Sequence, residues 1–198
     1  MADQLTLIGA DYSVYTRIAR SALNLKGLAY RFETLDIFAA DGPARARQAG
    51  HPFARIPVLR HGLHTIYETL AITRYIDEAF DGPPLCPASP IDRARMNQII
   101  SIIDTQAYPV LVWGLHVPHS KGNTPDPAML ERGRLVLAEL ERMAQKPWLC
   151  GGEASLADLY LAPCYDYARD SAIAPEIDEN YPRLKAWRDR AATVAPAH

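Results

Sequence analysis

Three hydroxyl-bearing side chains crowd into four positions near the start of the chain: Tyr12, Ser13 and Tyr15. They follow the apolar run Leu5-Thr6-Leu7-Ile8-Gly9 and precede a stretch with helical periodicity. At the C-terminal end of a parallel strand, hydroxyl donors and the free N–H groups of the next helix can hold a developing anion. Any of Tyr12, Ser13 and Tyr15 could be such a donor, and Ser13 would equally serve as a loop or helix-cap serine. A second constellation is Glu68-Thr69, where a strand pattern gives way to a helical one. There an acid, a hydroxyl and the orphan amides of a first helical turn meet. The same pair would also serve as an ordinary helix start. His116 and His119 flank Pro118 with no third ligand at useful spacing, so no metal site is expected. Cys86, Cys150 and Cys164 are odd in number and widely spaced, without a CxxC pair, which argues against a disulfide framework or a dithiol redox centre.

The surrounding pattern says what must position these groups. Residues 5–9 read as a strand and 17–28 as a helix, with Ile18, Ala22 and Leu25 on one face. Residues 30–37 read as a second strand, making a parallel βαβ unit. A weaker Ala/Arg helix follows Asp41-Gly42-Pro43. Ile56-Pro57-Val58 places a proline at the mouth of an apolar run, which suits an edge or a bend. A hairpin over 58–66 with its turn at His61-Gly62, then a helix from Glu68, completes βαβαββα over residues 1–80. The stretch 81–90 is rich in proline and reads as a linker. Residues 91–198 read as an all-helical domain. Its first helix, 91–113, is expected to kink or end near Tyr108 because of Pro109, and 114–127 is expected to be a loop. Further helices are expected over 129–143, over 155–169 from the cap pair Ser155 and Asp158, and from Tyr181-Pro182 onward. The tail from Ala192 is expected to fray.

Composition narrows the partners. Apolar residues make up 48% and charged residues 22% of the 198, with a formal charge of -2. That balance is ordinary for a soluble globular chain and carries no nucleic-acid footprint. No run approaches 18 apolar residues and no leader pattern precedes the first strand, so neither membrane nor export is expected and the cytoplasm is.

Residues 51–77 (HPFARIPVL, RHGLHT, IYETLAITRYID) resemble the glutathione-binding half of the cytosolic glutathione S-transferase family. The run Ser13-Val14-Tyr15 with Arg20 is similar to that family's Ser-Pro-Phe pattern, with Val14 in place of the proline. Ser155-Leu156-Ala157-Asp158 and Tyr181-Pro182-Arg183-Leu184-Lys185-Ala186-Trp187 extend the resemblance into the second half. It implies an α/β thioredoxin-like N-terminal domain followed by an all-α C-terminal domain. It also implies a cis Pro57, backbone pairing of Val58 or Ile56 with the cysteinyl part of glutathione, and a γ-glutamyl end held by Glu68 and Thr69. Thr69 replaces the usual serine. His51 and Arg55 join the glutathione-binding set, and the Ser13 hydroxyl would favour the bound thiolate. With no cysteine between Gly9 and Thr16, disulfide-reducing chemistry is not expected.

The resemblance further implies an electrophile wall, for which Tyr108, Trp113, Tyr165 and Arg169 are the candidates. A homodimer is implied too, with Phe53 either inserted into the partner or folded back on its own domain. Arg74, Asp77, Asp92 and Arg93 would line the seam, and Asp104 would reach the partner's glutathione. Reduced glutathione is a co-substrate, and no tightly bound cofactor is expected. The leading activity is conjugation of glutathione to a small electrophile. The alternatives are glutathione-dependent isomerisation or dehalogenation, and a non-enzymatic binding scaffold.

Overall fold

The structure is a computed structural model describing residues 4–195. The chain forms two compact units that part between Pro84 and Leu85. The outer limits of the two expected domains, residues 1 and 198, lie outside the described residues. So do positions 196–198 of the expected frayed tail.

The first unit runs β1 (Leu5–Gly9), α1 (Val14–Leu25), β2 (Arg31–Thr34), α2 (Gly42–Ala49), β3 (Val58–His61), β4 (His64–Tyr67) and α3 (Thr69–Ala79). The strands lie in the order β2-β1-β3-β4, with β1 parallel to β2 and the other pairs antiparallel. This is the βαβαββα order that the strand and helix patterns predicted, in the thioredoxin-like arrangement that the resemblance implied. Alternation sends Leu7 and Leu59 to one face and Ile8 and Val58 to the other. The second pair joins Ala46 and Ala49 of α2 in one buried cluster with Leu35 and Ile56. Ile18, Leu23, Ile72 and Ile76 of the packed helices α1 and α3 are wholly buried. At about 1.5–3 kcal/mol for each buried large aliphatic side chain, such layers supply most of the driving force.

Three boundaries depart from the expected ones, each for a physical reason. Helix α1 begins at Val14 rather than 17 because Ser13 caps it, its Oγ accepting from the Thr16 N–H at 3.2 Å. Apolar spacing reports only the buried stripe and misses such a cap. Strand β2 is shorter than 30–37 because its pairing with β1 ends at Gly9↔Thr34. The hairpin turns at Gly62-Leu63, with Gly62 at φ 57°, and His61 pairs with His64. A Cβ on Gly9 would come within 2.4 Å of Thr16 Oγ1, so only glycine lets the end of β1 lie this close to α1.

Lys26 is buried at the far end of α1. Its Nζ lies 3.0 Å from Asp77 Oδ1 and donates to the carbonyls of Asp77 and Phe80, satisfying acceptors at the C-terminus of α3. Asp77, expected at a subunit seam, is thus engaged within its own unit. Its side chain is 9% exposed and committed to Lys26.

The second unit is helical: α4 (Pro90–Ile102), a π-helical segment (Ile103–His116), α5 (Val117–Ser120), α6 (Pro127–Met143), α7 (Leu156–Arg169), α8 (Ala174–Asn180) and α9 (Pro182–Ala191). Pro109 neither ends nor breaks the first rod, which continues without a gap to Ser120; the expected loop shrinks to residues 121–126. In an α-helix the proline ring would strike the carbonyl four residues back. The wider winding bonds five residues back, as Val117 N–H does to the Val112 carbonyl. Helix α8 had no apolar period to announce it, since Ile177 is its one buried residue. The tail holds together as far as it is described: Ala195 N–H donates to the Ala191 carbonyl at 2.8 Å and the residue is buried.

At the centre of this unit α7 starts on a complete capping box. Asp158, wholly buried, accepts from Leu149 N–H (3.0 Å), Ser155 N–H (2.8 Å), Ser155 Oγ (3.0 Å) and Trp187 Nε1 (2.8 Å). Burial pushes its carboxyl above the ordinary carboxylate range, against the pull of these donors.

Candidate functional site

One row of cross-strand partners explains why distant residues meet. Ile8 pairs with Val58, and Val58 pairs with Tyr67. Past the same end of the sheet lie the α1 cap that follows β1, the Ile56-Pro57 bond that precedes β3, and Glu68-Thr69 that follow β4. Ser13, Ile56 and Glu68 thus collect at one edge of the first unit.

Each contributes an unspent group. Ser13 is half-buried and its Oγ accepts from Thr16 N–H, but its own proton goes to no described residue. The Ile56–Pro57 bond is cis. Ile56 is buried, and its backbone makes no hydrogen bond to another described residue. Val58 stands in a central strand with neighbours on both sides, so its peptide groups belong to the ladder. Of the two candidates for pairing with an extended ligand, Ile56 has the open edge. Glu68 adopts φ 67°, ψ 120°, which costs a non-glycine residue about 1–3 kcal/mol. Its carboxylate is 59% exposed. Thr69, nearly buried, opens α3, and its hydroxyl bonds no described residue. The first-turn amides of α3 add donors beside it.

The rival hydroxyl is engaged elsewhere. Tyr12 donates to Asp36 Oδ1 at 2.7 Å and accepts from Ile37 N–H at 3.1 Å, tying the loop before α1 to the end of β2. Burial, then the Asp36 hydrogen bond, push its phenol up to about 12. Asp36 carried no signal in the sequence, because its role exists only once β1 and β2 pair. Tyr15 is half-buried on α1. Arg55 is exposed on the loop before Ile56, with Phe53 two residues earlier and 69% exposed. Phe53 does not fold back into its own core; its ring makes only an edge contact with His51, at 6.2 Å.

The remaining candidates belong to α3 and to the second unit. Arg74 is paired with Glu78 along α3. Arg93 donates to the carbonyls of Pro87 and Ala88, and Asp92 lies in the first turn of α4. In the second unit, Asp104, Tyr108 and Trp113 belong to the π-helical segment, the first two half-buried and Trp113 47% exposed. Residues 104 and 113 would stand two and a half turns apart, on opposite faces, in an α-helix. With roughly four and a half residues per turn in a π-helix, they are two turns apart and share the face of Tyr108. Arg169 is exposed near Asp178. Tyr165 is corrected: it is wholly buried with its ring edge-on to Trp187 at 5.9 Å, so it fills the core and presents no wall. No group of three or more His, Cys, Asp or Glu among the described residues could hold a metal ion. No described helix is long and apolar enough to cross a membrane.

Comparison with known proteins agrees with this fold. Residues 7–84 match the family model of the glutathione S-transferase N-terminal domain, and residues 100–193 match that of the C-terminal domain. The chain is 31% identical over 173 residues to a maleylacetoacetate isomerase of Rhizobium meliloti, covering 82% of this chain and 81% of that protein. It is 28% identical over 197 residues to a probable glutathione S-transferase of Solanum tuberosum, covering 96% and 87%. The crystal structure of glutathione transferase F7 from Populus trichocarpa superposes with a TM-score of 0.80 at 28% identity, over 96% of this chain and 93% of that one.

Proposed function

Since the chain belongs to the glutathione S-transferase family, we propose that it activates the thiol of reduced glutathione and joins the sulfur to a small apolar or aromatic electrophile. The observation that carries this reading is the set of unspent groups at one sheet edge. Glutathione offers a thiol, an extended cysteinyl peptide and a zwitterionic γ-glutamyl end. Ser13 donates to the sulfur, the open backbone of Ile56 pairs with the cysteinyl amide, and Glu68 takes the ammonium. Thr69 and the first amides of α3 take the γ-glutamyl carboxylate. Ser13 touches the reacting atom as a donor and is not itself the nucleophile. The electrophile meets the exposed face of Tyr108 and Trp113, with Arg169 as a further contact.

Titration calorimetry on Glu68→Ala tests the assignment. Loss of a charged pair is expected to weaken glutathione binding by about 2 kcal/mol, or roughly thirtyfold. Unchanged affinity would sink it. Turnover across electrophile classes then tests the reaction, and binding without any adduct would favour a scaffold.

The 31% identical isomerase favours a second reading. The same thiolate would add to a conjugated double bond, allow rotation about it, and leave again, returning glutathione unchanged. Following free thiol during turnover separates the two, because conjugation consumes it and isomerisation does not.

We further propose a homodimer in which Phe53 enters the partner subunit, since so exposed a ring on an ordered loop has little reason to face water. Phe53→Ala is expected to weaken association by about 2 kcal/mol. Light scattering at several concentrations checks this. A 22.0 kDa wild-type monomer at micromolar concentration would end the dimer claim, while a mutant dimer no easier to dissociate would end only the role of Phe53.

A further inference from the structure

Behind Glu68 lies a group that the chemistry above leaves unused. His51 is 2% exposed and opens the loop after α2, its N–H donating to the Ala46 carbonyl and its carbonyl accepting from Ala54 N–H. Its ring lies 5.2 Å from that of Tyr67. Nε2 is 3.9 Å from Glu68 Oε1, within electrostatic reach though beyond a hydrogen bond. Nδ1 is buried and has no hydrogen-bond partner among the described residues. The two nitrogens are thus unequal. A proton on Nε2 faces a carboxylate, whereas a proton on Nδ1 would be a buried donor with no acceptor. The neutral tautomer with hydrogen on Nε2 follows from those surroundings.

We propose that His51 is a positioning residue for Glu68, orienting the carboxylate toward the ammonium of glutathione from behind and making that affinity sensitive to acid. This rests on the glutathione site proposed above, and it takes His51 out of direct ligand contact. The charged groups that face the imidazole are Glu68, at the start of α3, and Arg55, on its own loop. The rings of Tyr67 and Phe53 complete its surroundings. Burial, the largest effect, pushes the imidazole below its ordinary 6.5 and Arg55 adds to this, while Glu68 pulls the other way. His51 is therefore neutral at pH 7 and charges only in more acidic solution. Once charged, it offsets Glu68, and the ligand ammonium loses attraction. By linkage, bound glutathione must lower the pKa of His51 by the same coupling.

The test is a double-mutant cycle read by calorimetry with reduced glutathione at pH 7, using wild type, His51→Phe, Glu68→Gln and the double variant. His51→Phe is expected to weaken binding about fivefold in wild type and less than about twofold when Glu68 is already Gln. Equal losses in the two backgrounds, or none in either, would overturn the proposal. If Glu68→Gln alone leaves affinity unchanged, the glutathione site itself is misplaced and both readings fall. An effect of Glu68→Gln without coupling to His51 removes this one only. NMR titration of the His51 ring in the wild-type protein needs no variant to fold. Its pKa is expected to fall on saturation with glutathione, and an unchanged or higher value would overturn the proposal.

Discussion

Ser13→Ala is expected to slow turnover about 10–50-fold at pH 6.5 and to leave it nearly unchanged at pH 9. The sign follows from the thiol. A free cysteine thiol has a pKa near 8.5, so about 1% is thiolate at pH 6.5, and lowering it by about two units takes roughly 2.7 kcal/mol and makes half of it thiolate. A hydroxyl donor to a charged acceptor supplies about 1.5–3 kcal/mol, with the α1 N-terminus adding a few tenths or more. Ser13 has its proton available while its lone pair caps α1. Removing it raises the thiol pKa, so the loss is largest where thiolate is scarce and vanishes above pH 8.5. Absorbance titration of bound glutathione reads the shift directly. Tyr12→Phe is the contrasting variant: its proton already goes to Asp36, so the thiol should titrate as in wild type. The reverse outcome, a shift in Tyr12→Phe and none in Ser13→Ala, would transfer the role to Tyr12.

Much of the framework was legible because local chemistry announces it. Pro182 at the start of α9 fixes a backbone angle that a helix needs, and Ser155 with Asp158 spells out a cap, whereas Pro90 and Pro127, which open α4 and α6, read as the ends of a linker and a loop. The hairpin and the change of period placed Glu68 and Thr69 at a helix start. What escaped was tertiary. The Tyr12–Asp36 bond, the burial of Tyr165 and the pairing of Asp77 with Lys26 depend on residues more than twenty positions apart. The winding of residues 103–116 escaped for another reason. A proline in an apolar stretch reads as a break, and nothing in periodicity says that a wider turn can absorb it.

The second large effect concerns stability. Asp158→Ala is expected to cost about 4 kcal/mol or more and to lower the melting temperature of the second unit by about 10 °C. The reason is asymmetric. The carboxylate's own burial is unfavourable, but deleting it strands Leu149 N–H, Ser155 N–H and Trp187 Nε1 inside the core, each at about 1–3 kcal/mol. Three elements lose their common anchor at once: the loop before α7, the first turn of α7, and α9 through Trp187. Asp158→Asn keeps one acceptor oxygen and should lose about half as much. Differential scanning calorimetry checks both variants. An alanine variant within about 1 kcal/mol of wild type would mean that the stranded donors find water and that the network is not a structural centre.

The π-wound segment also bears on how this chain should be aligned. A relative that coils the same stretch as an ordinary α-helix needs fewer residues to cover the same axial distance, so a correct superposition must open a gap within 103–116. A gapless alignment there would equate positions that face different ways. Roles transferred by column would then slip around the helix, and Trp113 would inherit the label of a residue on the far side. Homology-based assignments for the electrophile wall therefore require structural superposition, turn by turn, before any column is trusted.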